Sequence, residues 1–292
     1  MSGAPAARVF VLGAGRAGKG LARALRASGV ELAGLHGRRA EPGGGDGALP
    51  VSAGALPPSL ADAGVVLVAV QDAALDAAIA ELLAARLAPG AVLLQASGSA
   101  EPAAFAGARA AGHPTGTFHP LVPLADPSRA PALLRGAWVG VDGAPAAVEA
   151  ARRLAAALGA SVLEIPAGEK ARYHAAAVFA SNFPTVLAAI AARLMREAGV
   201  AATDGRDAVR ALLAAAAANV ASGDPLAALT GPVVRGDAVT VRRHLHALAA
   251  DEDARAVYLA LSRAALGMIG EGRASEELRR ALLGTEGRNE EP

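Results

Sequence analysis

Three glycines spaced as Gly13, Gly15 and Gly18 follow an apolar run, Val9 to Leu12, and precede a segment with Leu21, Ala24 and Leu25 on one helical face. The apolar run fits a buried parallel strand, so the stretch predicts a strand, a glycine-rich turn and a helix. In such a turn Gly13 permits the tight bend, Gly15 permits close backbone approach to a pyrophosphate, and Gly18 lets helix pack on strand. The backbone of Gly13, Ala14, Gly15, Arg16, Ala17 and Gly18 is then placed to hold the phosphates of a dinucleotide at the helix start. Glycine makes up 34 of the 292 residues, so the spacing alone is a weak signal. Its position at the first strand-to-helix junction gives it weight.

Three further edges belong with that turn. The segment Leu32 to His36 ends in Gly37-Arg38-Arg39 and lacks the carboxylate that receives the adenosine ribose in NAD-binding units. Arg38 and Arg39 match a 2′-phosphate in charge and in forked hydrogen bonding, which predicts NADP(H) over NAD(H). In an arginine-rich chain the same pair also reads as two solvated side chains. The run Val65 to Val70 is the clearest strand and carries Val70 and Gln71 to the carboxyl edge of a sheet, with Asp72 reading as the N-cap of the next helix. Ala91 to Gln95 brings Ser97 and Gly98 to the same edge, either as a loop near a nicotinamide or a substrate carboxylate, or as an ordinary turn.

Proton chemistry points to a different stretch, Lys170-Ala-Arg-Tyr-His174 continuing to Ser181-Asn182. On a 3.6-residue period Lys170, His174 and Ser181 fall near one line, with Asn182 about a quarter-turn away. One helix face thus offers an amine, an imidazole, a hydroxyl and an amide. Lys170 stands in the opening turn, where its charge opposes the helix dipole and an ordinary surface lysine is disfavoured. The reading as proton donor stands beside a plainer one, in which Lys170 pairs with Glu169 or another carboxylate in solvent. His119 precedes Pro120, so its backbone is biased to be extended and its ring direction partly fixed, which suits a cleft-facing role.

The composition narrows the classes. Net charge is +1, which gives no sign of a nucleic-acid surface or of attraction to anionic membranes. The absence of cysteine excludes disulfides, thiolate metal sites and cysteine nucleophiles. The six histidines are scattered, and His244 and His246 fall on different faces of a helix, so no metal site is expected. No signal peptide and no membrane span is expected, and the default location is cytoplasmic. Only Lys19 and Lys170 among the 28 basic residues are lysines, and Gln71 and Gln95 are the only glutamines. In a chain biased to Arg, Ala and Gly such residues carry extra information.

These motifs need a frame. Strand and helix patterns alternate as far as Ile165: a helix over Arg16 to Ser28, a helical segment after Asp72, a strand from Thr115, a strand Trp138 to Val141, a helix Ala144 to Leu158 and a strand Ser161 to Ile165. After Pro166 only helical periodicity remains, over 167–199 interrupted by Pro184, then 204–221, 238–251 and 253–269, with a frayed tail from Glu271. The expected fold is an α/β N-terminal Rossmann-like domain with a mostly parallel, doubly wound sheet over 1–165, followed by an all-α C-terminal domain over 166–292. Glu41 to Gly47 reads as a surface loop. The alanine-rich helices, including Ala211 to Ala218, bring little side-chain volume and permit close packing, so a homodimer through the helical domain is expected.

The chain resembles the Rossmann-like NADP-dependent oxidoreductases whose helical C-terminal half is a domain of unknown function. These are similar to the broader group of ketopantoate reductase, 3-hydroxyisobutyrate dehydrogenase and pyrroline-5-carboxylate reductase, with a C-terminal half like that of 6-phosphogluconate dehydrogenase. The resemblance rests on Gly13 to Gly18, Ser97-Gly98, Phe118-His119-Pro120, Lys170 through Tyr173-His174 to Ser181-Asn182, and Thr230 to Asp237. In hydroxyacid dehydrogenases and ketopantoate reductase a lysine on the first interdomain helix, followed four residues later by Asn or Asp, polarises the substrate carbonyl and donates a proton. Here Lys170 is kept, His174 takes the second position, and Asn182 is left as an amide substitute. The resemblance implies NADPH-dependent reduction of a small carbonyl substrate, ketopantoate to pantoate first, with Lys170 as donor and His174 orienting or sharing the proton. It also implies a homodimer. Other 2-keto acids, a cyclic imine, a deazaflavin-dependent NADP oxidoreductase and a non-catalytic NADP(H)-binding sensor are the alternatives. Arg235 either clamps a substrate carboxylate or pairs with Asp237.

Overall fold

The computed structural model describes residues 8–44, 48–101, 103–270 and 275–283. Its first compact unit, residues 1–182, is built on a seven-stranded sheet; the second, residues 183–292, is helical. Strand-forming sequence ends at Glu164, whereas the division between the units falls inside one long helix.

The strands β1 (Val9–Leu12), β2 (Leu32–His36), β3 (Val65–Val68), β4 (Val92–Gln95), β5 (Thr115–Pro120), β6 (Trp138–Gly143) and β7 (Ser161–Glu164) lie in the order β2-β1-β3-β4-β5-β6-β7. All pairs are parallel except β5 with β6. This is the mostly parallel Rossmann-type sheet that the alternation predicts. The chain leaves β1 for β2 on one side and then crosses to β3 on the other. A crevice therefore opens at the carboxyl ends of β1 and β3, the place where open α/β sheets bind ligands.

Helices α1 (Arg16–Ala27), α4 (Ala130–Leu134) and α5 (Pro145–Ala157) cover one face of the sheet, α2 (Leu75–Ala84) and α3 (Ala104–Ala110) the other. The strand period of two sorts the side chains: Val9, Val11, Val65 and Leu67 join the first core, Phe10, Leu12, Val66 and Val68 the second. Burial on both faces is why these strands read as unbroken apolar runs. The short helices α3 and α4 lay below the reach of periodicity.

The remaining helices are α6 (Lys170–Glu197), α7 (Ala202–Ala221), α8 (Ala238–Ala247), α9 (Glu252–Met268) and α10 (Glu276–Leu283). Pro184 does not interrupt α6, although it lacks the N–H for one helical bond. In the second unit Arg193 of α6 pairs with Asp251, the N-cap of α9, at 2.5 Å. Val233, Val241, Leu266, Leu278 and Leu282 form the core shared by α8, α9 and α10. The tail expected to fray from Glu271 contains α10, whose Leu278 and Leu282, one turn apart, are both fully buried. The rest of that tail, and part of the loop Glu41 to Gly47, lie outside the described residues.

One expectation needs correction. By length and composition α6 is long and apolar enough to cross a membrane. Its Asp, Glu, Lys and Arg residues sit near its ends, at Lys170, Arg172, Arg193, Arg196 and Glu197, and the run Tyr173 to Ala192 between them has none of these four types.

Candidate active site

The glycine turn has the geometry its sequence predicts. Gly13 has φ +112°, the region that favours glycine, and a Cβ there would overlap the carbonyl of Ala69 at the end of β3. A Cβ on Gly18 would overlap the Gly13 carbonyl, so helix and turn are in direct backbone contact. At Gly15 a Cβ would meet nothing within 4 Å. Gly15 is also the N-cap of α1, and no side chain caps the helix there. Its first N–H groups are therefore left to water or an anion, which suits a dinucleotide's phosphates.

Around this turn, Arg38 and Arg39 are exposed just beyond β2, and neither makes an ion pair among the described residues. Lys19 of α1 is held at 2.6 Å by Glu41. His36 is buried at the end of β2, with Nδ1 2.9 Å from Ser52 Oγ, a structural contact. Beyond β3, which stops at Val68, Val70 is half-buried and Gln71 exposed. Asp72 does not cap α2. It opens a short 3-10 turn and accepts a 2.8 Å hydrogen bond from Ser99 Oγ in the loop after β4. In that loop Ser97 Oγ accepts from the N–H of Ala100 at 3.1 Å and Ser99 at 3.3 Å, and Gly98 is buried.

Gly98 is where the chemistry collects. A Cβ there would lie 2.6–2.7 Å from Cε1 and Nδ1 of His119 and 2.8 Å from Cδ2 of His174. The two imidazoles meet edge-on with centroids 5.8 Å apart. The sheet supplies the floor. The pairings of Gln95 with Thr117, Thr117 with Asp142 and His119 with Gly140 set these side chains on one face. The first turns of α6 close over it: Lys170 Nζ lies 3.0 Å from Asp142 Oδ2, and the Tyr173 hydroxyl fills the space a side chain at Gly140 would take. Tyr173 OH also lies 2.8 Å from His119 Nδ1.

Lys170 is 5% exposed, so the pairing with Asp142 is a buried one and not a solvated contact with Glu169; Glu169 pairs instead with Arg172 at 2.6 Å. Burial brings the His119 pKa down to about 4, assisted by the nearby positive charges of His174 and Lys170 and opposed by Asp72. Burial, and then the negative charge of Asp142, push Tyr173 up to about 12. Gln95 is fully buried with its Nε2 donating to the Ala100 carbonyl; its Oε1 has no partner among the described residues.

The structure thus brings His174 and His119 together beside Gly98, with Lys170, held by Asp142, near enough to act on His119. It does not bring Ser181 or Asn182 to the same point, because they stand about 16 and 18 Å further along α6 at 1.5 Å per residue. Asp142 and Tyr173 are members that sequence reasoning left out. Asp142 lies just past Val141, where the sequence reading ends the strand, and its nearness to Lys170 comes from the pairing of β6 with β5 and the placement of α6, which no local pattern shows. In the second unit, Asp237 caps α8 by accepting from Thr240 N at 2.9 Å and Thr240 Oγ1 at 2.6 Å, and Arg235 forms no ion pair with it. His244 is engaged by Tyr258 OH at 2.9 Å.

The fold and the glycine turn together define a Rossmann-type α/β protein with a helical C-terminal region. Residues 137–265, from β6 to α9, match the family model described as a domain of unknown function, DUF2520. No curated protein matches the sequence. Among solved structures, the chain is similar to a Bacteroides fragilis protein provisionally named an NADP oxidoreductase, at 21% identity over 89% of this chain and 98% of that one, TM-score 0.69. It is similar to an Aspergillus terreus reductive aminase in complex with an NADPH cofactor, cyclohexanone and allyl amine, at 17% identity, 95% and 98% coverage, TM-score 0.62. It is also similar to Plasmodium falciparum pyrroline carboxylate reductase with NADP bound, at 12% identity, 90% and 98% coverage, TM-score 0.57. At these identities the likeness is one of fold.

Proposed function

We propose that this chain is an NADPH-dependent reductase of a small carbonyl substrate, with 2-dehydropantoate (ketopantoate) as the first substrate to test. The observation that carries the reading is the convergence of His119 and His174 on Gly98, with the Lys170–Asp142 pair close enough to act on His119, at the same carboxyl edge as the uncapped turn Gly13 to Gly18. The similar structures support it, since the proteins concerned are named for NADP or hold it. Gly13 to Gly18 would hold the pyrophosphate, Arg38 and Arg39 the 2′-phosphate, and Val70, Gln71, Ser97 and Gly98 the edge facing the nicotinamide. Bound there, NADPH supplies hydride chemistry.

The protein's own part is to stabilise negative charge on the substrate oxygen and to deliver a proton. Lys170 is oriented by Asp142 and kept from water, so its ammonium acts in a medium of low polarity where a charge is felt strongly. His174 lies on the same side of α6 and can orient the substrate or share the proton. A cyclic imine is the second reading, favoured by two of the similar structures being a pyrroline carboxylate reductase and a reductive aminase.

The test follows NADPH absorbance with purified protein and 2-dehydropantoate, with NADH in parallel. We expect turnover with NADPH, much slower turnover with NADH, and loss of kcat by about 10²-fold or more in Lys170→Ala with NADPH affinity retained. NADPH binding without turnover on keto acids or imines would leave a sensor.

We further propose that a second copy of the chain covers α6 and α7. Large apolar side chains are exposed along both, Phe179 at 65% and Leu212 at 63% among them, with Phe183, Val186, Leu187 and Leu213. The small residues between them allow helices to approach closely. Lys170 and Arg193, near the two ends of α6, are each tied by an ion pair within their own compact unit, which favours a protein neighbour over lipid.

A further inference from the structure

We propose that Tyr173 is a positioning residue that holds His119 neutral with its proton on Nε2, so that His119 offers the substrate an uncharged hydrogen-bond donor beside the charged Lys170. The inference deepens the reductase reading, and its role in turnover rests on that reading.

The geometry begins at Gly140. Only a residue without a side chain leaves room there for the Tyr173 hydroxyl, which descends from the first turn of α6 to the sheet and stops 2.8 Å from His119 Nδ1. Two arrangements fit that distance: the phenol donates to Nδ1, or an Nδ1–H donates to the phenol oxygen. In the second, the phenolic proton has no acceptor among the described residues, since His119 is the hydroxyl's only hydrogen-bond partner there and the hydroxyl is seated against the backbone of Gly140. An unmet donor in such a place is costly, so the first arrangement is preferred. Donation into Nδ1 requires that lone pair to be free, and the imidazole proton must then sit on Nε2.

The charges facing His119 point the same way. From α6 come Lys170 and His174, from the loop after β3 comes Asp72, and Asp142 of β6 is already engaged by Lys170. A second buried positive charge beside Lys170 is therefore opposed, with only Asp72, held by Ser99, to offset it. Gly98 completes the enclosure, because a side chain there would displace both imidazoles. A neutral imidazole donor stabilises developing negative charge without competing with Lys170 for the proton. His119 Nε2 makes no hydrogen bond among the described residues, so it is the nitrogen left for a ligand.

The full-length protein labelled with ¹⁵N in its histidines, without cofactor or substrate, decides this by long-range ¹H–¹⁵N spectra, His119 being assigned by its loss in His119→Gln. The expected result is the Nε2–H tautomer, unchanged on acidification until near the midpoint of about 4 that burial gives His119. In Tyr173→Phe the tautomers should mix and the midpoint rise by about 0.5–1 pH unit, the worth of one hydrogen bond. A purely structural tyrosine would leave the tautomer unmoved. An Nδ1–H tautomer in the wild type, or a midpoint near 6.5, overturns the proposal whether or not any substrate is turned over. With an active substrate, Tyr173→Phe should lower kcat by about tenfold at little change in KM, and a wild-type kcat would equally overturn it.

Discussion

Lys170 and Asp142 show how one side chain changes meaning with its surroundings. Glu169 beside Lys170 suggested a solvated pair, yet the partner is Asp142, 28 residues away on the sheet, and the ammonium is enclosed. Removing one member of such a pair leaves an uncompensated charge. Breaking a fully buried pair costs about 3–5 kcal/mol, and because Asp142 keeps 23% of its side chain in contact with solvent we expect less, about 2–3 kcal/mol, for Asp142→Asn. Urea denaturation measures it. The double variant Lys170→Met with Asp142→Asn should recover most of the loss, since neither charge is then left alone. A loss under about 0.5 kcal/mol for Asp142→Asn would mean the ammonium finds water instead.

At the scale of the element, the β1–α1 unit gives Gly15 and Gly18 the separate roles that their spacing predicts. A methyl at Gly18 meets backbone, which cannot yield, whereas a methyl at Gly15 enters open space at an N-cap whose φ of −74° any residue adopts. Gly18→Ala should therefore be strongly destabilising, by about 3 kcal/mol or more, or fail to fold. Gly15→Ala should keep its stability within about 1 kcal/mol yet weaken NADPH binding by about tenfold or more, because the methyl stands where a phosphate must approach. Thermal melts with and without NADPH separate the two. Unchanged NADPH affinity in Gly15→Ala would remove the phosphate from this turn. The sequence already contained these roles, since strand, turn and helix follow one another without help from distant residues.

For the whole molecule the prediction concerns the second copy proposed to cover α6 and α7. An α6 of 28 residues is about 42 Å long, and exposed aliphatics on it, Val186 and Leu187, with Leu212 and Leu213 of α7, are the surface that the proposed second copy would cover. Light scattering on the purified protein should give twice the chain mass without detergent. Leu212→Asp combined with Leu213→Asp should give a monomer, through charges placed on the face of α7 that a partner would cover. A wild-type monomer at micromolar concentration, or a protein that stays in solution only with detergent, would count against a second copy as the cover.

What the sequence determined by itself was everything carried by local period and local backbone need: the alternation as far as β7, the glycine turn, the long helices, and Lys170 with His174 on one helix face. Apolar runs buried on both sides and glycines without room for a methyl leave marks that need no partner to be read. The tertiary structure alone decided who meets whom. The antiparallel return of β6 beside β5 sets Asp142 against Thr117 and Gly140 against His119, and the start of α6 over that row gives Lys170 its carboxylate and Tyr173 its histidine. Those contacts join residues far apart in the chain, and their strength comes from exclusion of water, which exists only once the sheet and helix have closed on one another.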